Sequence, residues 1–144
     1  SHTIEEDNIS IISCNGISYK RYLRVLKGTN KKIAVLTDND KDELRISQAK
    51  KFNLENKNQH VFMGKTVDDW TWEVCLIKRN KCVLDELIKP DGNSKYLVNG
   101  ADIGDKTLGK MLNQKVESAY KILKSNTKLI IPDHICEAIE WLKK

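Results

Sequence analysis

The chain has 144 residues, of which 40% are hydrophobic and 31% charged, and its formal net charge is +5. This length accommodates one domain around one core, and no apolar run reaches the roughly 20 residues that a membrane-spanning helix requires. The four cysteines form no C-x-x-C pair, which argues against a zinc site or a disulfide framework and favours a reducing cytoplasm. The excess of basic residues permits a polyanionic partner without establishing one.

The first residues of the chain are expected to lie outside the fold. Residues 1–8 are interpreted as a tail, in which Ser1 and His2 resemble a cloning remnant and which contains no secretory signal. Residues 9–144 are expected to form the folded domain.

The sequence that follows the tail predicts a parallel βαβ unit. Residues 9–14 are an apolar run typical of a first strand, and Asn15 begins the turn that ends it. Ser18 is placed to cap a helix that continues to Leu26, and residues 33–37 predict a second strand. Such a crossover places the two strands in parallel.

Three alternating carboxylates, Asp38, Asp40 and Asp42, follow the second predicted strand. Ligands of open α/β sheets collect beyond the carboxyl ends of the strands. Neighbouring carboxylates repel each other unless a cation neutralises them, and their hard oxygen atoms favour Mg²⁺ or Mn²⁺. The pattern therefore predicts a divalent-metal site, and the alternative is a solvated acidic turn.

A second acid is predicted to lie beyond a strand end. A helix is expected over residues 43–52 and a third strand over residues 60–63. Thr71 is a suitable N-cap for a helix that reaches Ile88, and this cap places Glu73 in the first helical turn.

The last third of the chain is expected to be mainly helical. Residues 93–106 are interpreted as a loop, and apolar periodicity predicts one long helix over residues 107–123 with Lys115 inside it. A short strand over residues 128–131 and a helix that begins at Asp133 complete the chain. The alternation of strands and helices predicts an α/β fold with a mostly parallel central sheet flanked by helices.

The sequence excludes two familiar motifs, a nucleotide-binding P-loop and a calcium-binding loop. The glycines and lysine of residues 100–107 do not have the spacing of a phosphate-binding P-loop. The alternating aspartates resemble the start of a calcium loop, but Glu43 occupies the position where that loop requires glycine. His60 and His134 have no partner at metal-ligand spacing and are interpreted as surface or strand-end residues.

The order of these parts resembles a Toprim domain, and more narrowly the Toprim (Rossmann-like) domain of the OLD (overcoming lysogenization defect) family of ATP-dependent endonucleases, which includes Gabija-type defence nucleases. The resemblance covers nearly the whole chain. Its most specific segments are residues 36–40 (LTDND), 71–76 (TWEVCL), 113–119 (NQKVESA) and 131–142 (IPDHICEAIEWL).

The resemblance implies cleavage of DNA phosphodiester bonds with Mg²⁺ or Mn²⁺, usually through two ions, and a role in phage defence. It assigns metal binding to Asp38 and Asp40, a third acidic position to Asp42, a metal-binding or catalytic acid to Glu73, and contact with the scissile phosphate to Lys115. It also implies that an ATPase domain of the same or a partner chain completes the protein. The isolated domain is then expected to be a monomer or a weak dimer.

The chain departs from the family pattern at two positions. The family has a glutamate directly before the glycine that follows the first strand, and often a second acid four residues later, whereas this chain has Asn15 and Tyr19. Three kinds of domain fit this departure: a weakened nuclease, a catalytically degenerate module that binds metal, DNA or a partner, and a nuclease in which Asp68 or Asp69 compensates. A substitution introduced into the sequence would also explain the two residues. An aspartate-nucleophile phosphohydrolase is the third class, and residue 42 has the wrong side chain for it.

Overall fold

The computed structural model describes residues 4–14, 18–90, 92 and 95–144, and the statements below concern these residues. The strands are β1 (Ile33–Leu36), β2 (Gln59–Phe62), β3 (Leu97–Val98) and β4 (Ala101–Asp102). The helices are α1 (Tyr19–Leu26), α2 (Glu43–Glu55), α3 (Trp72–Ile88), α4 (Lys106–Asn113), α5 (Lys115–Lys124) and α6 (Asp133–Lys143). Within this described part, no helix is both long and apolar enough to cross a membrane.

A parallel βαβ unit forms the centre of the fold. Strands β1 and β2 pair in parallel, with Ile33 opposite Gln59 and Leu36 opposite Phe62, and α2 connects them. Helix α2 packs on this pair through a small core of buried residues, which are Ile46, Ala49, Val61 and Met63. Helix α6 lies against both strands. The predicted α/β fold with a parallel sheet flanked by helices is therefore confirmed.

Helix α3 organises the second core. Its buried residues Leu76, Leu84 and Ile88 pack with Met111 of α4. The helix changes direction at Asn80, whose backbone leaves helical geometry with φ −133° and ψ 26°. The kink therefore divides α3 into a first half that begins near the end of β1 and a second half that ends at Ile88, and both halves contribute to this core.

The structure corrects the prediction of a final strand over residues 128–131. Within this segment, the side-chain amide of Asn80 accepts a hydrogen bond from the Ile130 N–H at 2.7 Å and donates one to the Ile130 carbonyl at 2.9 Å. Both backbone groups of Ile130 are satisfied by one side chain, so this segment does not need a neighbouring strand.

Three further predictions of secondary structure are wrong. Residues 9–14 form no strand, and Ile11 and Ile12 remain 79% and 71% exposed, because an apolar run becomes a strand only where a partner edge pairs with it. The predicted loop over residues 93–106 contains the antiparallel pair β3 and β4. The predicted helix over residues 107–123 is interrupted at Gln114, whose backbone is not helical.

Candidate active site

A buried asparagine shapes the chain where β1 ends. Asn39 is fully buried, and the two hydrogens of its Nδ2 are shared among the carbonyl oxygens of Gly64 at 3.1 Å, Thr66 at 2.9 Å and Asp69 at 3.2 Å. Its Oδ1 accepts from the Lys41 N–H at 2.9 Å. These bonds join the end of β1 to the loop that follows β2, so the two strand ends are held together.

The loop after β2 folds back closely on itself because residue 64 is glycine. A Cβ atom on Gly64 would lie 2.0 Å from the Asp69 carbonyl oxygen, a distance that no side chain can accommodate without moving the backbone. The Asp40 N–H also donates to the Trp70 carbonyl at 3.1 Å. The segment that precedes α3 is thereby fixed beside Asp38.

Asp38 binds the beginning of α3. Its Oδ1 accepts from the Trp72 N–H at 3.0 Å, and its Oδ2 accepts from the Thr71 hydroxyl at 3.0 Å. Thr71 occupies the predicted N-cap position, but its side chain does not cap the helix. Asp38 satisfies one of the free N–H groups of the first helical turn instead, where negative charge is also favoured by the helix dipole.

Thr71 connects Asp38 to Glu73. The buried Thr71 hydroxyl lies 2.5 Å from Glu73 Oε2 as well as 3.0 Å from Asp38 Oδ2. A hydroxyl group has one hydrogen, so it donates to one of the two carboxylates at a time. The two acids predicted from separate strand ends therefore share one hydrogen-bond donor.

Lys115 reaches the same cluster from α5. Its Nζ lies 2.8 Å from Glu73 Oε1, and the Glu73 side chain is only 10% exposed. Burial alone raises the pKa of Glu73, but hydrogen bonds from Lys115, from Thr71 and from its own backbone outweigh this effect and hold the pKa below its ordinary value. Glu73 is therefore an anion at neutral pH.

The sequence predicts Lys115 in the interior of one long helix. In the structure it is instead the first residue of α5. A cation at a helix N-terminus faces the positive end of the helix dipole, so helix formation does not explain its place. Periodicity cannot detect the break at Gln114, because the apolar positions on both sides remain in helical register.

The other two aspartates of the acidic stretch have separate structural partners. Asp40 forms an exposed ion pair with Arg45. Asp42 caps α2, because its Oδ1 accepts from the Leu44 N–H at 2.8 Å and from the Arg45 N–H at 3.3 Å. Among the described side chains, no three histidine, cysteine, aspartate or glutamate residues gather at one point that could hold a metal ion.

Asp38 and Glu73 nevertheless have suitable chemistry for a hard cation. Mg²⁺ usually keeps several waters and takes one or two carboxylates of the protein together with phosphate oxygens of the substrate. The two carboxylates that share the Thr71 hydroxyl supply such a pair.

The neighbouring Asp69, a candidate for a compensating acid, already accepts hydrogen bonds from two side chains. It accepts from Lys78 Nζ at 2.7 Å and from the Thr66 hydroxyl at 3.0 Å. The Lys78 hydrogen bond lowers the pKa of Asp69, burial opposes this effect, and the Thr66 hydrogen bond adds to it. Asp69 therefore stabilises the loop before α3.

Acidification is expected to weaken the fold through Asp69. Its pKa is lower in the folded chain, so the unfolded chain binds more protons; this stabilisation is complete above about pH 4 and is lost as the pH falls through the folded pKa. Because Lys78 is half exposed, we expect a contribution of about 1 kcal/mol or less. Urea unfolding of the wild type and Asp69→Asn should show a larger difference at neutral pH than at about pH 3. An equal difference at both pH values contradicts this expectation.

The two histidines are less exposed than the sequence predicts. His134 is buried in the first turn of α6, and burial lowers its pKa although nearby carboxylates, with Asp38 and Glu137 the strongest, oppose this effect. His60 is half-buried and stacks on Trp141 with ring centroids 4.3 Å apart. The surface interpretation of His134 is therefore wrong.

Of the two positions that depart from the family pattern, only one can be placed. Asn15 lies outside the described residues. Tyr19 is half-buried and packs against the core formed by α2 and β2. Its side chain is thus used for packing.

The sequence alone did not reveal Asn39, Thr71 as a bridge, or Arg45 as the partner of Asp40. An asparagine between two aspartates resembles an ordinary turn residue. The T-x-E spacing indicates Glu73 but assigns no contact to the threonine.

The parallel α/β unit, with Asp38 and Glu73 beyond the carboxyl end of β1 and Lys115 of α5 beside them, is consistent with a Toprim-like fold. Residues 1–40 match the family model for the TOPRIM domain of overcoming lysogenization defect protein-like proteins, which confirms the predicted OLD-type Toprim domain on this stretch. The matched stretch includes Asp38 and Asp40 and ends before Glu73 and Lys115. No curated protein and no solved structure matches the chain significantly.

Proposed function

We propose that this chain is a metal-dependent DNA endonuclease domain that nicks or cleaves DNA. The observation that carries the proposal is the network Asp38–Thr71–Glu73–Lys115, in which residues from three distant segments meet through contacts of 2.5–3.0 Å. A carboxylate pair beside a lysine is the combination that phosphodiester hydrolysis needs, because it combines metal ligands with a cation for the phosphate.

Asp38 and Glu73 are the residues proposed to hold Mg²⁺ or Mn²⁺. A bound divalent cation supplies charge stabilisation to the reacting phosphate and promotes attack by water. Asp40 joins the set when its exposed ion pair with Arg45 opens, which costs no more than about 1 kcal/mol for a pair of this kind. Asp42 contributes to the N-terminus of α2 and is the weakest of the four proposed ligands.

Lys115 is proposed to contact the scissile phosphate. Its side chain is 58% exposed, so the ammonium group can turn from Glu73 toward a substrate without first leaving a buried site. Thr71 keeps the two carboxylates in place, since its hydroxyl contacts both of them.

A catalytically degenerate module is the second candidate function. The packing of Tyr19 favours it, because this side chain occupies a position where the family often has an acid and it lies against the core. Asn15 also offers an amide in place of a carboxylate. Such a module would bind DNA, a metal or a partner without cleaving.

Nicking of a supercoiled plasmid in Mg²⁺ or Mn²⁺ tests the proposal. We expect the wild type to relax the plasmid, EDTA to stop the reaction, and Asp38→Ala to slow it at least about tenfold through loss of a metal ligand. Glu140→Ala, which removes an exposed acid of α6, is the matched control and should behave as the wild type.

Equal nicking by the wild type and Asp38→Ala would show a contaminating nuclease and remove the catalytic assignment. If neither nicks, Asn15→Glu distinguishes the two candidates. A gain of nicking by this variant supports a degenerate module that has lost one carboxylate, and no gain rejects that explanation.

The remaining assignments of the family are proposals of the same kind. We propose that an ATPase domain of the same or a partner chain acts with this domain in the cytoplasm during phage defence. The domain alone is proposed to be a monomer or a weak dimer.

A further inference from the structure

One segment accounts for the net positive charge of the chain. Residues 18–37 contain no acidic residue and six basic ones, which are Lys20, Arg21, Arg24, Lys27, Lys31 and Lys32. This leaves 19 basic and 20 acidic residues for the rest of the chain. The positive charge is therefore a local property of α1 and of the loop that leads to β1.

The basic side chains of α1 lie on one exposed face. Lys20, Arg24 and Lys27 are spaced four and three residues apart, which places them on the same side of a helix. Leu23 lies three residues after Lys20 and four before Lys27, so this buried side chain borders the same face, and the exposed cations surround the point at which α1 contacts the protein.

These cations are not engaged with carboxylates. Within the described part of the chain, no ion pair involves Lys20, Arg24, Lys27 or Lys31, whereas Lys65, Lys78 and Lys81 each pair with an acid. The α1 face thus has charge available for a partner.

The α1 face and the carboxylates border one cleft. The residues that line a cleft of about 2030 Å³ include Lys20, Arg24 and Lys27 as well as Asp38 and Asp40 at the end of β1. A bound polyanion can therefore contact the cations of α1 and reach the carboxylates without leaving the cleft.

We propose that α1 and the loop that follows it, residues 20–32, form the surface that holds the phosphate backbone of DNA and directs it toward Asp38. The inference rests on the proposed function, because it names the surface on which that substrate binds. Helix α1 is about 12 Å long and duplex DNA carries one negative charge per about 1.7 Å of its axis, so several phosphates come within reach.

An anionic membrane is less well matched to this surface. A helix that lies in a membrane inserts a broad apolar face, whereas α1 buries Leu23 against the protein and exposes only Tyr22 and Val25 as large apolar side chains, which are too few for such a face. DNA is therefore the partner that the charge and the cleft favour.

Salt-dependent DNA binding in EDTA tests the inference separately from cleavage. The variant Lys20→Gln/Arg24→Gln/Lys27→Gln removes three cations from the cleft, and Lys50→Gln/Lys95→Gln/Lys128→Gln removes three exposed cations elsewhere. Fluorescence anisotropy with labelled duplex and single-stranded DNA between about 50 and 200 mM salt gives the affinity and its salt slope.

We expect the cleft variant to bind at least about tenfold more weakly at the lowest salt, and its log–log salt slope to fall by about 2.7 on duplex or about 2 on single strands. The control triple should keep the wild-type slope. Lys27→Gln/Lys31→Gln lies beyond the last turn of α1 and should lower the duplex slope by about 1.8, which checks the result without changing the helix.

Equal slopes for the cleft and control variants overturn the inference even if the wild type nicks DNA. Reduced binding by the cleft variant without any nicking by the wild type leaves the inference standing and rejects the proposed function. A wild type that binds phosphatidylserine vesicles but not DNA also overturns the inference.

Discussion

Asn39→Ala is expected to destabilise the domain by about 3 kcal/mol or more. The side chain is fully buried, and its amide contacts three carbonyl oxygens and one backbone N–H. Removal of the amide takes this partner from the Gly64 and Asp69 carbonyls and from the Lys41 N–H, whereas the Thr66 carbonyl keeps its hydrogen bond from the Asp69 N–H. A buried polar group without a partner costs about 1–3 kcal/mol, so more than one such loss contributes. Urea unfolding followed by tryptophan fluorescence measures the change, because Trp70 and Trp72 lie in the segment held by this asparagine.

Two variants control this prediction. Asn30→Ala removes an exposed asparagine and should change the free energy of unfolding by less than about 0.5 kcal/mol. Asn39→Asp keeps the acceptor for the Lys41 N–H but loses both donor hydrogens, so it should be nearly as destabilising as alanine. An unfolding midpoint for Asn39→Ala that equals that of Asn30→Ala would show that the loop after β2 does not depend on the asparagine.

Lys115→Met should slow plasmid nicking by about 10²–10³-fold, the effect of removing one preorganised stabilising group at a phosphoryl centre. The change also removes the hydrogen bond that most lowers the pKa of Glu73, so the acid becomes easier to protonate. Initial rates at saturating DNA across a pH series measure both effects. The measurement uses the Asn15→Glu background if only that form nicks.

A lysine that serves only to neutralise Glu73 gives a different result. In that case Lys115→Met would lower the stability of the domain and leave the rate at saturating DNA within a few fold. Lys115→Arg keeps the charge and should recover part of the rate, and Lys128→Met, which removes an exposed lysine outside the cluster, should have no effect.

Periodicity and turn chemistry predicted the parts of the fold that depend on local sequence. The apolar run before Asp38 forms β1, and the helix expected after the three aspartates forms α2, with Asp42 as its cap. The α/β class follows from these alternating elements. Local sequence wrongly predicted a strand over residues 128–131. The side chain of Asn80 binds the backbone of Ile130 there, and these two residues are 50 positions apart in the sequence.

The candidate site was predicted in part. Asp38, Glu73 and Lys115 meet, since each lies at the end of an element whose position the fold determines. Asp40 was expected beside them but pairs with Arg45, one turn into α2. Spacing in the sequence places a residue at a strand end, whereas the direction of its side chain depends on neighbours that sequence spacing does not identify.

The side-chain amide of Asn80 binds both backbone groups of Ile130, as a neighbouring strand would. Shortened forms of the chain therefore need this segment. A fragment that stops before residue 130 leaves the buried amide of Asn80 without that partner, at the point where α3 bends. Asn80 then keeps only its hydrogen bond to the Leu76 carbonyl, so the bend that follows the half-helix carrying Glu73 is held by one contact fewer on each side of the amide. An attempt to isolate a minimal catalytic unit should therefore retain the segment that precedes α6, although it contributes no carboxylate to the cluster.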